Sequence, residues 1–142
     1  MATRQFRILI VDDLESDRRL LELAVRRATG LGILGLLESG EETLAYLGGT
    51  GKFSDRSQHP FPDLLVLNLI MPRITGFDIL AWLRKHAVNN LKVAVISGSL
   101  EPENKTRALE MGAAFHFEKP LEFSGWTHIA KALEQYLQST TS

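Results

Sequence analysis

Polar residues with complementary chemistry end or closely follow four short apolar runs of the sequence. They are Asp12 and Asp13, Asn68, Ser97 and Lys119. Paired carboxylates bind a hard cation such as Mg²⁺ through oxygen. A lysine supplies a point charge for phosphate, and a serine hydroxyl can donate to a phosphoryl oxygen. Because phosphoryl transfer depends mainly on positioning and electrostatic stabilisation, this set predicts phosphoryl chemistry assisted by magnesium.

Each of these residues also has an ordinary structural explanation. Asp12 and Asp13 suit the start of a helix, since aspartate is a common N-cap residue. Ser97 alone is typical of a turn, and Lys119 alone is typical of a solvated loop. Coincidence explains them less well when they occur together at three different strand ends. Glu38 also follows an apolar run, and we interpret it as a solvated loop acid.

The elements that must position these residues alternate along the chain. Branched apolar runs predict five strands, at residues 7–11, 33–37, 64–68, 92–97 and 114–117. Helical spacing and cap patterns predict five helices, at about 16–29, 39–47, 75–86, 102–112 and 124–138. Residues 48–62 show no periodicity and predict a long loop. The alternation predicts an α/β fold with one doubly wound, five-stranded parallel sheet, whose sites form beyond the carboxyl ends of the strands.

Composition and charge exclude several classes of protein. The 142 residues fit a single domain spanning 1–142, with a core at about 7–137. A formal net charge of -1 argues against a nucleic-acid binder, and the absence of cysteine excludes disulfides and thiolate chemistry. No apolar stretch approaches the roughly 20 residues of a membrane span, and nothing resembles a signal peptide. We therefore expect a cytoplasmic protein that binds neither nucleic acid nor membrane.

Four stretches of the sequence carry a resemblance to a known family. They read ILIVDD, PDLLVLNLIMPRITGFDIL, VAVISGS and GAAFHFEKP. From Arg7 to about Leu137 the chain resembles the receiver domain of two-component response regulators. The resemblance implies the flavodoxin-like (βα)5 receiver fold, with strand order 2-1-3-4-5.

The resemblance also implies a metal site. In the family the acid pair, here Asp12 and Asp13, binds magnesium. In the family an aspartate at the position of Asn68 accepts a phosphoryl group from a histidine kinase and contributes a metal ligand. The backbone carbonyl of Ile70 would complete the metal shell.

The remaining family roles fall on the last two strands. Ser97 would move toward the phosphoryl group, and Lys119 would contact it. The resemblance and the need to aim this lysine over the cleft predict a cis Lys119–Pro120 bond. His116 occupies a position where receivers often carry an aromatic residue that turns inward when the serine moves. It is either a pH-linked switch, since histidine titrates near neutral pH, or a surface histidine on an edge strand.

Asn68 departs from the family pattern at the acceptor position. Aspartyl phosphate forms by attack of an ionised oxygen, and a neutral amide oxygen is a far poorer nucleophile. We therefore expect no acyl phosphate on this chain and only weak binding of Mg²⁺. Two origins are open: a natural pseudo-receiver that uses the fold as a fixed binding surface, or replacement of an aspartate to trap the unphosphorylated state.

The expected function is that of a non-enzymatic response regulator that acts through protein binding. Only QSTTS follows the last predicted helix, so we expect no output domain. The expected partner is a sensor histidine kinase or a histidine phosphotransfer protein, and a homodimer through the face of the fourth and fifth helices is a further expectation. The loop at 48–62 resembles an insertion of single-domain receivers that partner with bacterial photoreceptor kinases. A more distant alternative is a haloacid-dehalogenase-type phosphatase, although its Asp-x-Asp pattern is missing after the first strand.

Overall fold

The computed structural model describes residues 5–98 and 102–140, in which strands and helices alternate. The strands are β1 (Phe6–Val11), β2 (Leu31–Leu37), β3 (Leu64–Asn68), β4 (Lys92–Ser97) and β5 (Phe115–Glu118). The helices are α1 (Glu15–Arg26), α2 (Gly40–Gly48), α3 (Gly76–Lys85), α4 (Pro102–Glu110) and α5 (Phe123–Ser139). A short 3-10 helix, Gly51–Phe53, interrupts the segment between α2 and β3.

The five strands form one parallel sheet in the order β2-β1-β3-β4-β5. This confirms the predicted fold class and strand order. Along the sheet, Val11 pairs with Leu67, Asn68 with Ile96, and Ser97 with Glu118. The carboxyl ends of the four strands β1, β3, β4 and β5 therefore meet at one edge, where the candidate polar residues lie.

Two hydrophobic layers cover the two faces of this sheet. Alternate residues of a strand point to opposite faces, so Ile8 and Ile10 pack with α1 and α5, whereas Leu9 and Val11 pack with α2 and α3. The central strands β1 and β3 are thereby buried on both faces, which explains their continuous apolar runs. None of the helices in the described part of the chain is long and apolar enough to span a membrane.

The largest difference from the predicted boundaries is at α1, which ends at Arg26 instead of residue 29, and β2 also starts earlier than predicted. This strand begins at Leu31, where the buried Leu31 pairs with Phe6, although Gly30 and Gly32 resemble helix-ending residues. An irregularity follows: Ile8 pairs with Ile33, but Leu9 pairs with Gly35. The extra residue in β2 is accommodated because β2 is an edge strand.

Candidate functional site

Asp12 and Asp13 lie directly after β1. Asp12 is buried, with 5% of its surface exposed, whereas Asp13 is exposed. Oδ1 of Asp12 accepts a hydrogen bond from the Leu14 amide at 3.0 Å. Burial raises the pKa of Asp12, even though that hydrogen bond and the charge of Lys119 act to lower it. The charged form of Asp12 therefore depends on the partners that surround it.

Asn68 ends β3 and is buried between the acid pair and the next loop. Its Nδ2 lies 2.8 Å from Asp13 Oδ1, 3.1 Å from the Ile70 carbonyl oxygen and 3.4 Å from Asp12 Oδ1. The amide thus donates to the three groups predicted to bind a metal ion. Burying this polar side chain is tolerated because its N–H groups have acceptors.

Ser97 and Lys119 reach the same edge from β4 and β5. The Lys119 amide donates to the Ser97 carbonyl oxygen at 3.0 Å, and Ser97 is fully buried. An open cleft of about 330 Å³ lies at this edge. It is lined by Asp13, Leu14, Asn68, Ile70, Ser97, Gly98 and Lys119. The structure therefore brings five of the predicted site residues together around one cleft, namely Asp13, Asn68, Ile70, Ser97 and Lys119. Asp12 contacts Asn68 and Lys119 beside it, and His116 does not line the cleft.

The ammonium group of Lys119 is directed at Asp12 and Asp17 rather than at Asp13. Its Nζ lies 2.8 Å from Asp17 Oδ2 and 3.1 Å from Asp12 Oδ2. Burial acts to lower the pKa of Lys119, but the hydrogen bond with Asp17 and the charge of Asp12 together raise it. Lys119 is therefore held as a cation between two carboxylates.

Asp17 is a site residue that the sequence reasoning missed. It lies in the first turn of α1, the helix that follows the acid pair. In a parallel sheet the first turn of such a helix lies at the carboxyl edge, beside the strand ends. An acidic residue in that turn was the available signal.

The predicted cis bond between Lys119 and Pro120 is wrong, because no peptide bond among the described residues is cis. The prediction assumed that only a tight turn could aim the lysine into the cleft. The backbone pairing of Lys119 with Ser97 instead sets its direction, and the long side chain reaches Asp12 from there. The Pro120 ring packs against Gly125, where an added Cβ would lie 2.4 Å from the proline Cβ.

Arg18 supports the acid pair from α1. Its Nη1 donates to the Asp12 carbonyl oxygen at 2.7 Å, and its Nη2 lies 3.6 Å from Glu38 Oε1. The Arg18 side chain is 11% exposed, whereas the Glu38 side chain is 71% exposed. The exposed position of Glu38 agrees with its interpretation as a loop acid. No sequence pattern distinguished Arg18 from the other arginines of α1.

His116 lies on β5, on the opposite face from its neighbours Phe115 and Phe117, which pack with α5. Its Nε2 is buried and has no hydrogen-bond partner within the described residues. Burial and the charge of Lys105 lower the pKa of His116, while the charge of Glu118 acts to raise it. The ring is therefore held neutral at neutral pH, and its role as a switch stays a prediction.

The fold and the cleft can be compared with known proteins. A family model described as the response regulator receiver domain matches residues 8–133. The chain belongs to the response regulator receiver family. The match confirms the resemblance drawn from the sequence motifs. Receiver domains of this family work in two-component signalling.

Curated relatives of this receiver include longer proteins. Protein-glutamate methylesterase/protein-glutamine glutaminase 3 of Geobacter sulfurreducens is 32% identical, over 82% of this chain and 28% of that protein. Two-component response regulator ORR4 of Oryza sativa subsp. indica is 28% identical, over 94% of this chain and 63% of that protein. The receiver thus spans less than two thirds of the length of either relative.

Solved structures match the receiver over nearly its whole length. Response regulator RPA3017, described in red light signaling of R. palustris, is 28% identical with a TM-score of 0.85, and the match covers 96% of both chains. The phosphorylated cyanobacterial phytochrome response regulator RcpA is 24% identical with a TM-score of 0.84, covering 97% of both chains. The Mn²⁺-bound form of response regulator Rcp1 is 21% identical with a TM-score of 0.82, over 96% of this chain and 97% of that chain. The RcpA and Rcp1 matches show a shared fold.

Proposed function

We propose that this receiver signals by binding protein partners and that its cleft does not take up a phosphoryl group at residue 68. Membership of the family, and with it a place in two-component signalling, follows from the match over residues 8–133. The observation that carries the rest is the side chain of Asn68. Its amide nitrogen donates to Asp13 and to the Ile70 carbonyl at the position where the family pattern requires an acceptor carboxylate.

The chemistry of an amide supports this proposal. An aspartyl phosphate forms when an ionised carboxylate oxygen attacks phosphorus, and the amide oxygen of Asn68 is neutral. Its nitrogen is committed to hydrogen bonds with acceptors from two different loops. Ser97, whose hydroxyl is another oxygen among the cleft-lining residues, is fully buried.

The oxygen atoms at the cleft belong to carboxylate, amide and carbonyl groups, which are ligand types that bind a divalent cation. Asp12, Asp13 and the Ile70 carbonyl would hold the ion, and Asn68 would add a ligand only after turning its oxygen toward it. A bound Mg²⁺ would neutralise charge on the oxygens of a phosphoryl group. We propose that binding is weak, because the amide already satisfies these oxygens and contributes no charge of its own. Among the described residues, no group of three or more His, Cys, Asp or Glu side chains is arranged to hold a metal ion.

Exposed apolar side chains around the cleft support protein binding. Leu14, Ile70 and Leu121 are 51%, 50% and 102% exposed, and they lie in the loops that follow β1, β3 and β5. Exposed apolar groups beside a polar cleft are typical of an interaction surface. We assign this surface to a sensor histidine kinase or a histidine phosphotransfer protein. We assign no enzymatic activity to the chain.

A photoreceptor kinase is the partner class that the comparisons favour. The match to a response regulator of red light signaling, at 28% identity, extends over 96% of both chains. The segment 48–62 resembles an insertion found in receivers of that kind. A symmetric dimer through α4 and α5 remains a further prediction.

Intact-mass measurement after incubation with Mg²⁺ and acetyl phosphate tests the proposal. The native chain should gain no phosphoryl group at residue 68, and Asn68→Asp should gain one. In that reaction a carboxylate oxygen at position 68 bonds to phosphorus, the bond from phosphorus to acetate breaks, and acetate leaves with the electron pair. Asn90→Asp makes the same chemical change at an exposed turn and should stay unmodified. A native chain with a phosphoryl group mapped to Asn68 would overturn the proposal.

A further inference from the structure

Lys119 already has an anionic partner outside the acid pair. Its Nζ is closer to Asp17 Oδ2, at 2.8 Å, than to either oxygen of Asp12, at 3.1 and 3.4 Å. The Lys119 side chain is 15% exposed and that of Asp17 is 22% exposed. An ion pair with so little solvent around it is screened less than a pair on the surface.

The position of Asp17 in the fold makes this contact specific. Asp17 comes from the first turn of α1, whereas Lys119 directly follows β5, which is separated from β1 by the two strands β3 and β4. The pair therefore links the two sides of the cleft. Glu15 lies in the same helical turn, but its ion-pair partner is Arg19 on the same helix at 3.8 Å.

We infer that Asp17 is a positioning residue that acts as an internal counter-ion for Lys119, and that it competes with any anion entering the cleft. This inference rests on the proposed function. Lys119 is the residue that the family resemblance assigns to contact with a phosphoryl group. Asn68 donates N–H groups to the predicted metal ligands, and Asp17 accepts a hydrogen bond from Lys119, the residue predicted to contact the phosphoryl group. Both the metal-binding and the phosphoryl-binding groups of the cleft therefore already have partners within the protein.

The competition predicts how the rate of phosphorylation should change when Asp17 is replaced. A phosphoryl group in transfer carries negative charge, which an adjacent ammonium stabilises. Asp17 holds that ammonium and must release it before the lysine can contact the phosphoryl group. When a carboxylate is restored at position 68, removal of the Asp17 charge should therefore speed phosphorylation.

The experiment compares Asn68→Asp with the double variant Asn68→Asp/Asp17→Asn. Both are incubated with Mg²⁺ and acetyl phosphate, and the initial rate of labelling is followed by intact mass. We expect the double variant to react about fivefold faster, which is the scale of one partly buried ion pair. The matched control, Asn68→Asp/Glu15→Gln, removes a negative charge from the same turn and should react less than about twofold faster, because exposed charges are screened. An equal or slower rate for the Asp17 variant would overturn the inference.

A second comparison separates the contact with Lys119 from a general change in structure. In an Asn68→Asp/Lys119→Met background, the Asp17→Asn change should give no acceleration, because the lysine that it frees is absent. Acceleration that persists without Lys119 would also overturn the inference, and loss of all labelling without Lys119 would support the contact of the lysine with the phosphoryl group. If Asn68→Asp itself is not labelled, the proposed function fails; if it is labelled but Asp17→Asn has no effect, only this inference fails.

Discussion

The cleft and the segment 48–62 hold their charged groups with different kinds of partner. In the cleft, Lys119 pairs with the carboxylates of Asp12 and Asp17, which are both far from it in the sequence. In the segment, Arg56 donates to the backbone carbonyls of Tyr46 and Leu47 at 2.7 Å each. In the cleft the charge of the lysine is therefore neutralised by other side chains, whereas in the segment the charge of the arginine is stabilised by backbone carbonyls.

The backbone partners give the segment a fixed shape. Arg56 also donates to the His59 carbonyl at 3.2 Å, and the Tyr46 hydroxyl donates to the Pro60 carbonyl at 2.9 Å. Gly49, with φ of 66°, ends α2 in the left-handed conformation, and a Cβ there would lie only 3.0 Å from the arginine. The guanidinium therefore caps the carboxyl end of α2 from a close position.

The comparison suggests different responses to change. Side-chain partners can be exchanged when a cation, an anion or a new carboxylate enters, so the cleft should respond to charge. Backbone carbonyls cannot be exchanged, so the segment should lose its structure when the arginine is removed. Three substitutions, taken from the largest expected effect to the smallest, test this distinction.

The largest effect is expected for Arg56→Met. The substitution removes charged donors from the carbonyls of Tyr46, Leu47 and His59, and hydrogen bonds to charged groups contribute about 1.5–3 kcal/mol each when buried. Because Arg56 is only partly buried, we expect a loss of about 2 kcal/mol in the free energy of unfolding, measured with urea. Hydrogen exchange of amides 50–62 should rise as well.

Lys52→Met is the control for this prediction. Lys52 lies in the same segment, but its side chain is 72% exposed and pairs with Glu42 at 3.4 Å. Its loss should change stability by less than about 1 kcal/mol, as for other surface pairs. If the two variants were equally stable, the segment would not depend on the arginine, and the contrast with the cleft would fail.

The sequence predicted the cleft better than it predicted the segment. The cleft follows from a rule about strand ends, and the apolar runs located the strands that carry Asp12, Asn68 and Ser97. The segment lacks periodicity, and its order depends on donors that reach particular carbonyls. Nothing in the pattern of residues 48–62 identified Arg56 as the residue that organises them.

The errors within the cleft have a related cause. The missed contact of Asp17 with Lys119 and the wrong prediction of a cis Lys119–Pro120 bond both concern where one long side chain points. Strand and helix periodicity determine which residues reach the edge of the sheet, but they do not determine which partner a lysine takes there. The fold class and the location of the cleft were therefore predictable from the alternation of strands and helices, and the strand order from the family resemblance. The pairing inside the cleft was not predictable.

The second prediction concerns the balance of charge in the cleft. Asn68→Asp places a third carboxylate beside Asp12 and Asp13 and removes the N–H donors that they share. Without metal, the variant should be less stable than the native chain by about 1 kcal/mol, since one pKa unit of repulsion corresponds to about 1.4 kcal/mol. Millimolar Mg²⁺ should raise the melting temperature of the variant more than that of the native chain, because metal binding stabilises the folded state.

Paired thermal melts with chelator and with Mg²⁺ measure both effects. Asn90→Asp, at an exposed turn, is the control for adding a charge elsewhere. Equal stability of the native chain and Asn68→Asp without metal, together with an equal response to Mg²⁺, would show that residue 68 does not share a cation site with the acid pair.

The smallest effect is expected at His116, on the strand that leads into the cleft. Burial, with the charge of Lys105, lowers the pKa of its ring in the folded state, and Glu118 only partly opposes this. The unfolded chain therefore binds the proton more readily, and stability should fall as the pH decreases from about 6.5 toward the lower pKa of the folded state. His116→Gln should remove this part of the pH dependence. Because the ring is only partly buried, the difference between native and variant should be less than about 1 kcal/mol between pH 8 and 5.

Urea unfolding at several pH values measures this difference in stability, with His128→Gln, at an exposed position of α5, as the control. If His116→Gln and the native chain lost stability in parallel over this range, protonation of His116 would not contribute to the pH dependence of stability.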